Sequence, residues 1–349
     1  MLYLRCETES GCESVLAREY VSHVCEWYPE RYTYGGQAVF SSDRFYDMFR
    51  EAEINENAYE DWCEYREQVT DFIVKSVRED STVAVYGAGR CCDLDLKRLA
   101  ECFSTIVLYD YDEKAMKDAL KLYGLREGKN AVPTGGIEHV CEIRLMQADF
   151  TGMERESYIR FTDYFHYGLK NIKTEQDAND FRRELLAILR NAYADAEKIR
   201  ARKRVETAAD YSIALGLHSQ LNNSFSAIWN YVADAVAGLE GLPEIIGETV
   251  KKTFADIETE QRKNTQRIVN SVNTMISENT RDSIFIGYEL YVKTMPGSPI
   301  EGAYNCSHDL EEREKNGEIQ TVSYIRTEWP LAIKRELVYD MVVGKFKKK

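Results

Sequence analysis

What the chain lacks narrows it first. No apolar run approaches the roughly 20 residues that a membrane-crossing helix needs, and the opening stretch MLYLRCETESGCES carries acids early and no apolar core, unlike a secretory leader. Cysteine pairing signals are missing too. The nine cysteines are irregularly spaced and odd in number, with no C-x-x-C pair, which favours reduced thiols and a cytoplasmic protein over a disulfide framework. It also argues against Cys6, Cys12, His23 and Cys25 as a zinc set, and no metal site is expected. A Walker phosphate loop, a G-x-S-x-G elbow and an H-E-x-x-H pair are all absent. Positive charge is short: 45 Lys and Arg against 59 Asp and Glu leave a formal charge of −14. Such a chain repels polyanions on average, so neither nucleic acid nor an anionic membrane is expected as a partner. The basic runs Lys198–Arg204 and Lys345–Lys349 read as solvated surface.

What is present is a soluble, globular composition, 44% hydrophobic and 30% charged, over 349 residues, enough for a full core in one large domain or two. The informative stretch is Thr82–Asp112. Val83–Tyr86 is an apolar run of the kind that forms a strand buried on both faces. A Gly87-Ala88-Gly89 turn follows. Leu96, Leu99, Ala100 and Phe103 recur at helical spacing, and Ile106–Tyr109 makes a second apolar run that ends in Asp110 and Tyr111. Strand, glycine turn, helix, strand and acid form a βαβ unit suited to an adenosine-containing ligand. Glycines let backbone approach a ligand, a helix N-terminus offers N–H groups, and the acid can accept from ribose hydroxyls. A dinucleotide fingerprint would need G-x-G-x-x-G. Its third glycine is Cys92 here, beside Cys91, which disfavours a nicotinamide-dependent oxidoreductase.

At Gly87, Gly89 and Asp110 the chain resembles the class I S-adenosylmethionine-dependent methyltransferases. The family often has an acid two places before the first glycine, where Val85 stands, and a third glycine, where Cys91 stands. The resemblance implies a Rossmann-like, mostly parallel sheet of about seven strands with helices on both faces. It implies S-adenosylmethionine as cofactor, and an acid after the third strand that bonds the adenine amino group; Asp149 and Phe150 occupy that place. Asp149 also reads as an ordinary turn or capping residue. Asp93 and Asp95, two apart on a helix start, point away from one another; Asp93 reads as the helix cap and as a group reaching the ligand's amino end. The turn after the fourth strand, His218–Leu221, carries neither an Asn/Asp-Pro-Pro-aromatic element nor a Pro-Cys. With the acidic charge, this favours a small-molecule or protein acceptor. His218 is the titratable residue of that turn and the candidate base, weighed against a structural histidine; His139, His166 and His308 read as structural.

The expected layout has an N-terminal segment, 1–58, with an aromatic cluster at Phe45, Tyr46, Met48 and Phe49, read as satellite core or as a lid. A methyltransferase-like domain, 59–349, follows, with helical insertions at 151–209 and 222–280 expected to cover the acceptor side. Tyr59–Val77 and Glu113–Tyr123 read as helices, Glu127–Gly136 as a loop, and Val140–Gln147, Tyr211–Leu217 and Ile284–Val292 as strands. Ile319–Arg326 and Glu336–Val343 read as a final antiparallel pair. The expected function is methyl transfer to a small molecule. The alternative is a non-catalytic adenosyl-ligand-binding protein, with Val85 and Cys91 in its favour.

Overall fold

The computed structural model describes residues 57–349, apart from 135–136, 203–207, 223–224, 226–243, 295–296, 298 and 333–336, together with 33–34 and 37–38. Cys6, Cys12, His23 and Cys25, the aromatic cluster at 45–49 and part of the helical insertion read over 222–280 lie outside the described residues. The apolar runs form one eight-stranded sheet. Its strands are β1 Ser81–Tyr86, β2 Phe103–Asp110, β3 Gly128–Thr134, β4 Ile137–Gln147, β5 Ala209–Leu215, β6 Thr280–Val292, β7 Ile319–Ala332 and β8 Leu337–Lys348, in the order β3-β4-β2-β1-β5-β6-β8-β7. The pairs β4–β2, β2–β1, β1–β5 and β5–β6 are parallel. The edges, β3–β4 and β6–β8–β7, are antiparallel. This is a mostly parallel α/β sheet. The central β1 is buried at every residue but Thr82, as its unbroken apolar run requires.

Two readings change. Residues 127–136 read as a loop because of Pro133 and the Gly135-Gly136 pair, yet 128–134 form β3. β3 is an edge strand, and there a proline's missing N–H costs no ladder bond. The helix expected over Tyr59–Val77 is two pieces, α1 Ala58–Asp61 and α2 Cys63–Val74, separated at Trp62. The remaining helices described are α3 Leu96–Cys102, α4 Glu113–Leu122, α5 Arg155–Asn171, α6 Glu175–Arg202, α7 Glu244–Glu278 and α8 Glu301–Lys315.

By contacts the chain divides into two compact units. The described parts of Gly152–Ala201 and Asn222–Asn264 make the helical one. There α6 buries Leu185, Leu189, Ala192, Tyr193 and Ala196 along one stripe, with Ile199 half-buried at its end. Phe225 packs with Tyr158, Phe161 and Tyr193 at centroid distances of 4.8, 5.1 and 5.6 Å. The polar middle of α7 pairs with α6 through Arg182–Asp256 at 2.6 Å and Arg190–Glu260 at 2.8 Å. Among the described residues no helix is long and apolar enough to cross a membrane.

The other unit holds the sheet, α1–α4 and α8. α2 covers one face of the β6–β8–β7 edge: Phe72 meets Phe285 edge-on at 5.9 Å, and the Lys345 ammonium donates to the Ser76 carbonyl at 2.6 Å. α8 presses on the turn after β5, where a Cβ at Gly302 would stand 2.1 Å from the His218 carbonyl oxygen. Gly302→Ala should therefore destabilise the fold by about 1–3 kcal/mol, the range for overpacking. Gly247→Ala on α7, whose Cβ would meet nothing within 4 Å, should be neutral or stabilise by up to about 1 kcal/mol. Urea unfolding of the two variants checks this contrast.

Candidate functional site

The site grows from the end of β1. Gly87 and Gly89 take left-handed φ values of 71° and 49°, which cost a glycine nothing. The N–H groups of Gly87 and Ala88 donate to the Tyr109 carbonyl at 2.8 and 3.1 Å, so the turn folds back over the end of β2. A Cβ at Gly89 would meet nothing within 4 Å: the backbone there faces open space. Cys91, where the resembled family has its third glycine, also lies in the left-handed region, φ 48°. A glycine's conformation is thus present without the glycine, at a cost of about 1–2 kcal/mol. Neighbours hold the segment in place. The Tyr123 hydroxyl donates towards the Cys91 and Leu94 carbonyls at 3.0 and 2.6 Å, and the Arg66 guanidinium donates to the Cys92 carbonyl at 3.0 Å. Arg66 itself is buried and lies 4.0 Å over the Tyr59 ring.

Asp110 closes β2 and is 8% exposed. One carboxylate oxygen accepts from the Gly89 N–H at 2.8 Å, the other from the Asp112 N–H at 2.9 Å. Burial raises its pKa, and those N–H groups oppose the shift. Tyr111 beside it is exposed. Asp149 follows β4, whose end is tied to β2 by the Ala148 N–H donating to the Asp110 carbonyl at 2.8 Å. One Asp149 oxygen accepts from the Thr151 N–H and hydroxyl at 2.8 and 2.7 Å, so it shapes its own turn. Phe150 is buried and tilts on Tyr86 at 5.8 Å, and Tyr86 stacks on Tyr109 at 5.1 Å. Gly87, Ala88, Gly89, Asp110, Tyr111, Asp149 and Phe150 therefore gather at the carboxyl ends of three adjacent parallel strands, where open α/β sheets bind ligands.

Asp93 sits beyond the turn and is half-buried. Burial pushes its carboxyl up to about 7, with Arg66 opposing and the Asp110 charge adding to the rise. It is not the helix cap. That role falls to Asp95, which accepts from the N–H groups of Lys97 and Arg98 at 3.1 Å each: the helix starts at Leu96, and a cap must stand immediately before it.

His218 opens a short 3-10 turn after β5 and is 1% exposed. Its Nε2 lies 2.7 Å from Asn273 Oδ1. Asn273 donates to Asp309 at 2.8 Å, and Asp309 accepts from Arg313 at 2.7 Å. Burial holds the ring's pKa down to about 4. The ring is thus held neutral within a polar network between α7 and α8, and its Nδ1 has no hydrogen-bond partner among the described residues. Among the described residues His139 accepts or donates at 3.0 Å to the Phe103 carbonyl, likewise a structural contact.

A second constellation escaped sequence reasoning. Glu289, near the carboxyl end of β6, is 1% exposed. One oxygen accepts from the Ser219 hydroxyl at 2.6 Å; the other has no hydrogen-bond partner among the described residues. Across Gly216 from it stands Trp329 of β7, on which Tyr65 stacks at 5.8 Å and Trp62 packs edge-on at 5.1 Å. The signal was available: one acid inside the apolar run IFIGYELYV.

No family model matches the chain, and no curated protein matches it. Solved structures overlap loosely. Magnesium protoporphyrin IX methyltransferase from Synechocystis PCC 6803 with bound S-adenosylhomocysteine is 8% identical, over 94% of this chain and 99% of that one, at a TM-score of 0.40. The N-methyltransferase NodS from Bradyrhizobium japonicum WM9, with the same ligand, is 9% identical over 88% and 98%, also at 0.40. TehB from Haemophilus influenzae is 10% identical over 89% and 68%, at 0.38. Overlaps this loose assign neither activity nor ligand to this chain, whose site rests on its own residues.

Asp93 and His218 pull the pH profile in opposite directions. The folded His218 pKa is depressed from 6.5 to about 4, so its contribution is full above the unfolded value and is lost as pH falls. The folded Asp93 pKa is raised from 3.8 to about 7, so its contribution is full at low pH and is lost as pH rises through about 7. Each should change stability by about 2 kcal/mol between about pH 7 and about pH 5, with opposite sign. Relative to wild type, Asp93→Asn should lose stability on acidification and His218→Gln should gain it, measured by urea unfolding at the two pH values.

Proposed function

We propose that the sheet unit binds S-adenosylmethionine at the ends of β1, β2 and β4 and transfers its methyl group to a small-molecule acceptor. The observation that carries this reading is the Gly87–Gly89 turn: left-handed at both glycines, open above Gly89, and hydrogen-bonded at Gly89 to Asp110. Such a turn admits a ligand backbone close to the N–H groups, and the acid beside it is already fixed in orientation. A carboxylate offers about four acceptor sites, so the two N–H bonds leave Asp110 able to take ribose hydroxyls. Asp149 and Phe150 would flank the adenine, Tyr111 would border the ribose, and Asp93 would face the amino end. The cofactor supplies an activated sulfonium methyl, so the protein's part is alignment and exclusion of water. His218, buried with its Nε2 bonded to Asn273, supplies no base at the surface of this site. That placement favours, as the second reading, a protein that binds the adenosyl ligand without turning it over.

S-adenosylmethionine and S-adenosylhomocysteine should raise the melting temperature, and NAD and NADP should not. Asp110→Ala should weaken adenosyl-ligand binding by about 1–3 kcal/mol, the cost of losing a charged hydrogen-bond partner. Calorimetry of both proteins tests it, and NAD binding without any response to the adenosyl ligands would overturn the assignment.

A further inference from the structure

Glu289 is an expensive residue where it stands. A carboxylate in the interior needs a cation, several hydrogen bonds or a proton. Glu289 has one hydroxyl partner, Ser219, and one oxygen unpartnered among the described residues. The influences on its acidity are burial, which raises its pKa, and the Ser219 and backbone hydrogen bonds, which lower it; no cationic side chain figures among them. The nearby surfaces are aromatic. Gly216, at the end of β5, has no side chain, and a Cβ there would touch the Trp329 ring at 3.0 Å and approach the bonded Glu289 oxygen at 3.7 Å. Gly216 thus lies between the bonded Glu289 oxygen and the six-membered ring of Trp329, on which Tyr65 stacks. Burial comes first in raising the Tyr65 phenol's pKa, and the charges of Asp93 and Glu289 add to it, so the hydroxyl is within electrostatic reach of both acids. Trp62, half-buried, forms the outer edge of the group. The next residue along from Gly216, Leu217, is the one that a Cβ at Gly87 would strike, at 2.9 Å. The constellation thus adjoins the glycine turn.

We propose that Glu289, with Ser219 orienting it and Tyr65, Trp62 and Trp329 around it, receives the ammonium group of an organic amine. The ammonium N–H donates to the unpartnered oxygen, and the positive charge compensates the buried acid, which a neutral group of the same shape cannot do. Within the reading of the chain as a methyltransferase, on which the substrate role rests, the amine is the acceptor class. The binding itself does not depend on that reading.

The probe is propylammonium, with propanol as the neutral match, followed by the fluorescence of the native tryptophans and by calorimetry on the full chain. Saturable propylammonium binding is expected, with propanol at least tenfold weaker. Glu289→Gln keeps an oxygen for the Ser219 hydroxyl and should retain the wild-type melting temperature while losing at least tenfold in propylammonium affinity. Trp62→Phe, at the half-buried rim, should weaken binding several-fold and serves if Glu289→Gln does not fold. Absence of saturable binding by the wild type, equal binding of propanol, or wild-type affinity in both variants overturns the proposal. Adenosyl-ligand binding is read separately. A protein that binds propylammonium but no adenosyl ligand removes the methyltransferase reading and keeps the amine site; the reverse removes the amine site alone.

Discussion

The hydrogen bond from the Gly89 N–H to the Asp110 carboxylate is the contact on which the strand-end site depends. It joins the turn after β1 to the end of β2 at 2.8 Å, and it can form only because Gly87 and Gly89 turn the chain left-handed. The same carboxylate takes the Asp112 N–H, and Asp112 in turn caps α4 by accepting from Ala115 at 2.9 Å. One acid therefore sets the direction of two segments. The Ala148 bond to the Asp110 carbonyl brings in the end of β4. Sheet register does the rest: Tyr86 pairs with Tyr109 and Asp110 with Gln147, so three separate stretches of sequence end at one level.

Charge gives the sheet unit its second character. Asp93, Asp110 and Glu289 all have pKa values raised chiefly by burial. Among the described residues Arg66 is the one Arg or Lys that is buried, and its guanidinium is shared among the carbonyls of Tyr59 and Cys92 and the Tyr59 ring. An interior with more acids than cations must hold protons on its acids or admit positive charge from outside. A ligand bearing a cationic centre relieves that imbalance more than a neutral or anionic one does, which fits both ligands proposed for this unit.

The parallel core was legible because it follows rules with short range. Val83–Tyr86 and Ile106–Tyr109 are apolar runs too short for helices and bounded by turn residues; they form the central strands. The expected helix Glu113–Tyr123 is found as Glu113–Leu122, with Asp112 at its cap. Misreadings came where position in the sheet overrides local preference. Pro133 argued for a loop until β3 proved to be an edge strand, and Trp62 divides what periodicity read as one helix. α8 carries no strong apolar stripe and was not anticipated; its place is set by Gly302 against the His218 carbonyl, a contact between residues 84 positions apart. His218 shows the limit most directly. Sequence order put it at a strand end, but its burial depends on Asn273 and Asp309, which no spacing rule connects to it.

Glu289 was hidden for a related reason. Alternation along β6 places it on the same face as Phe285 and Gly287, opposite Val343 and Met341 of β8, where an apolar residue is the ordinary occupant. Read as a pattern, IFIGYELYV is a strand with one imperfection. Read with its partners, that imperfection is a carboxyl set among aromatic rings and oriented by a serine from the neighbouring strand's turn. A leucine or methionine in its place would relieve the burial penalty and lose nothing but the Ser219 bond. The fold therefore bears a cost at this position that its own packing does not repay, and a cationic ligand is the partner whose chemistry would offset it.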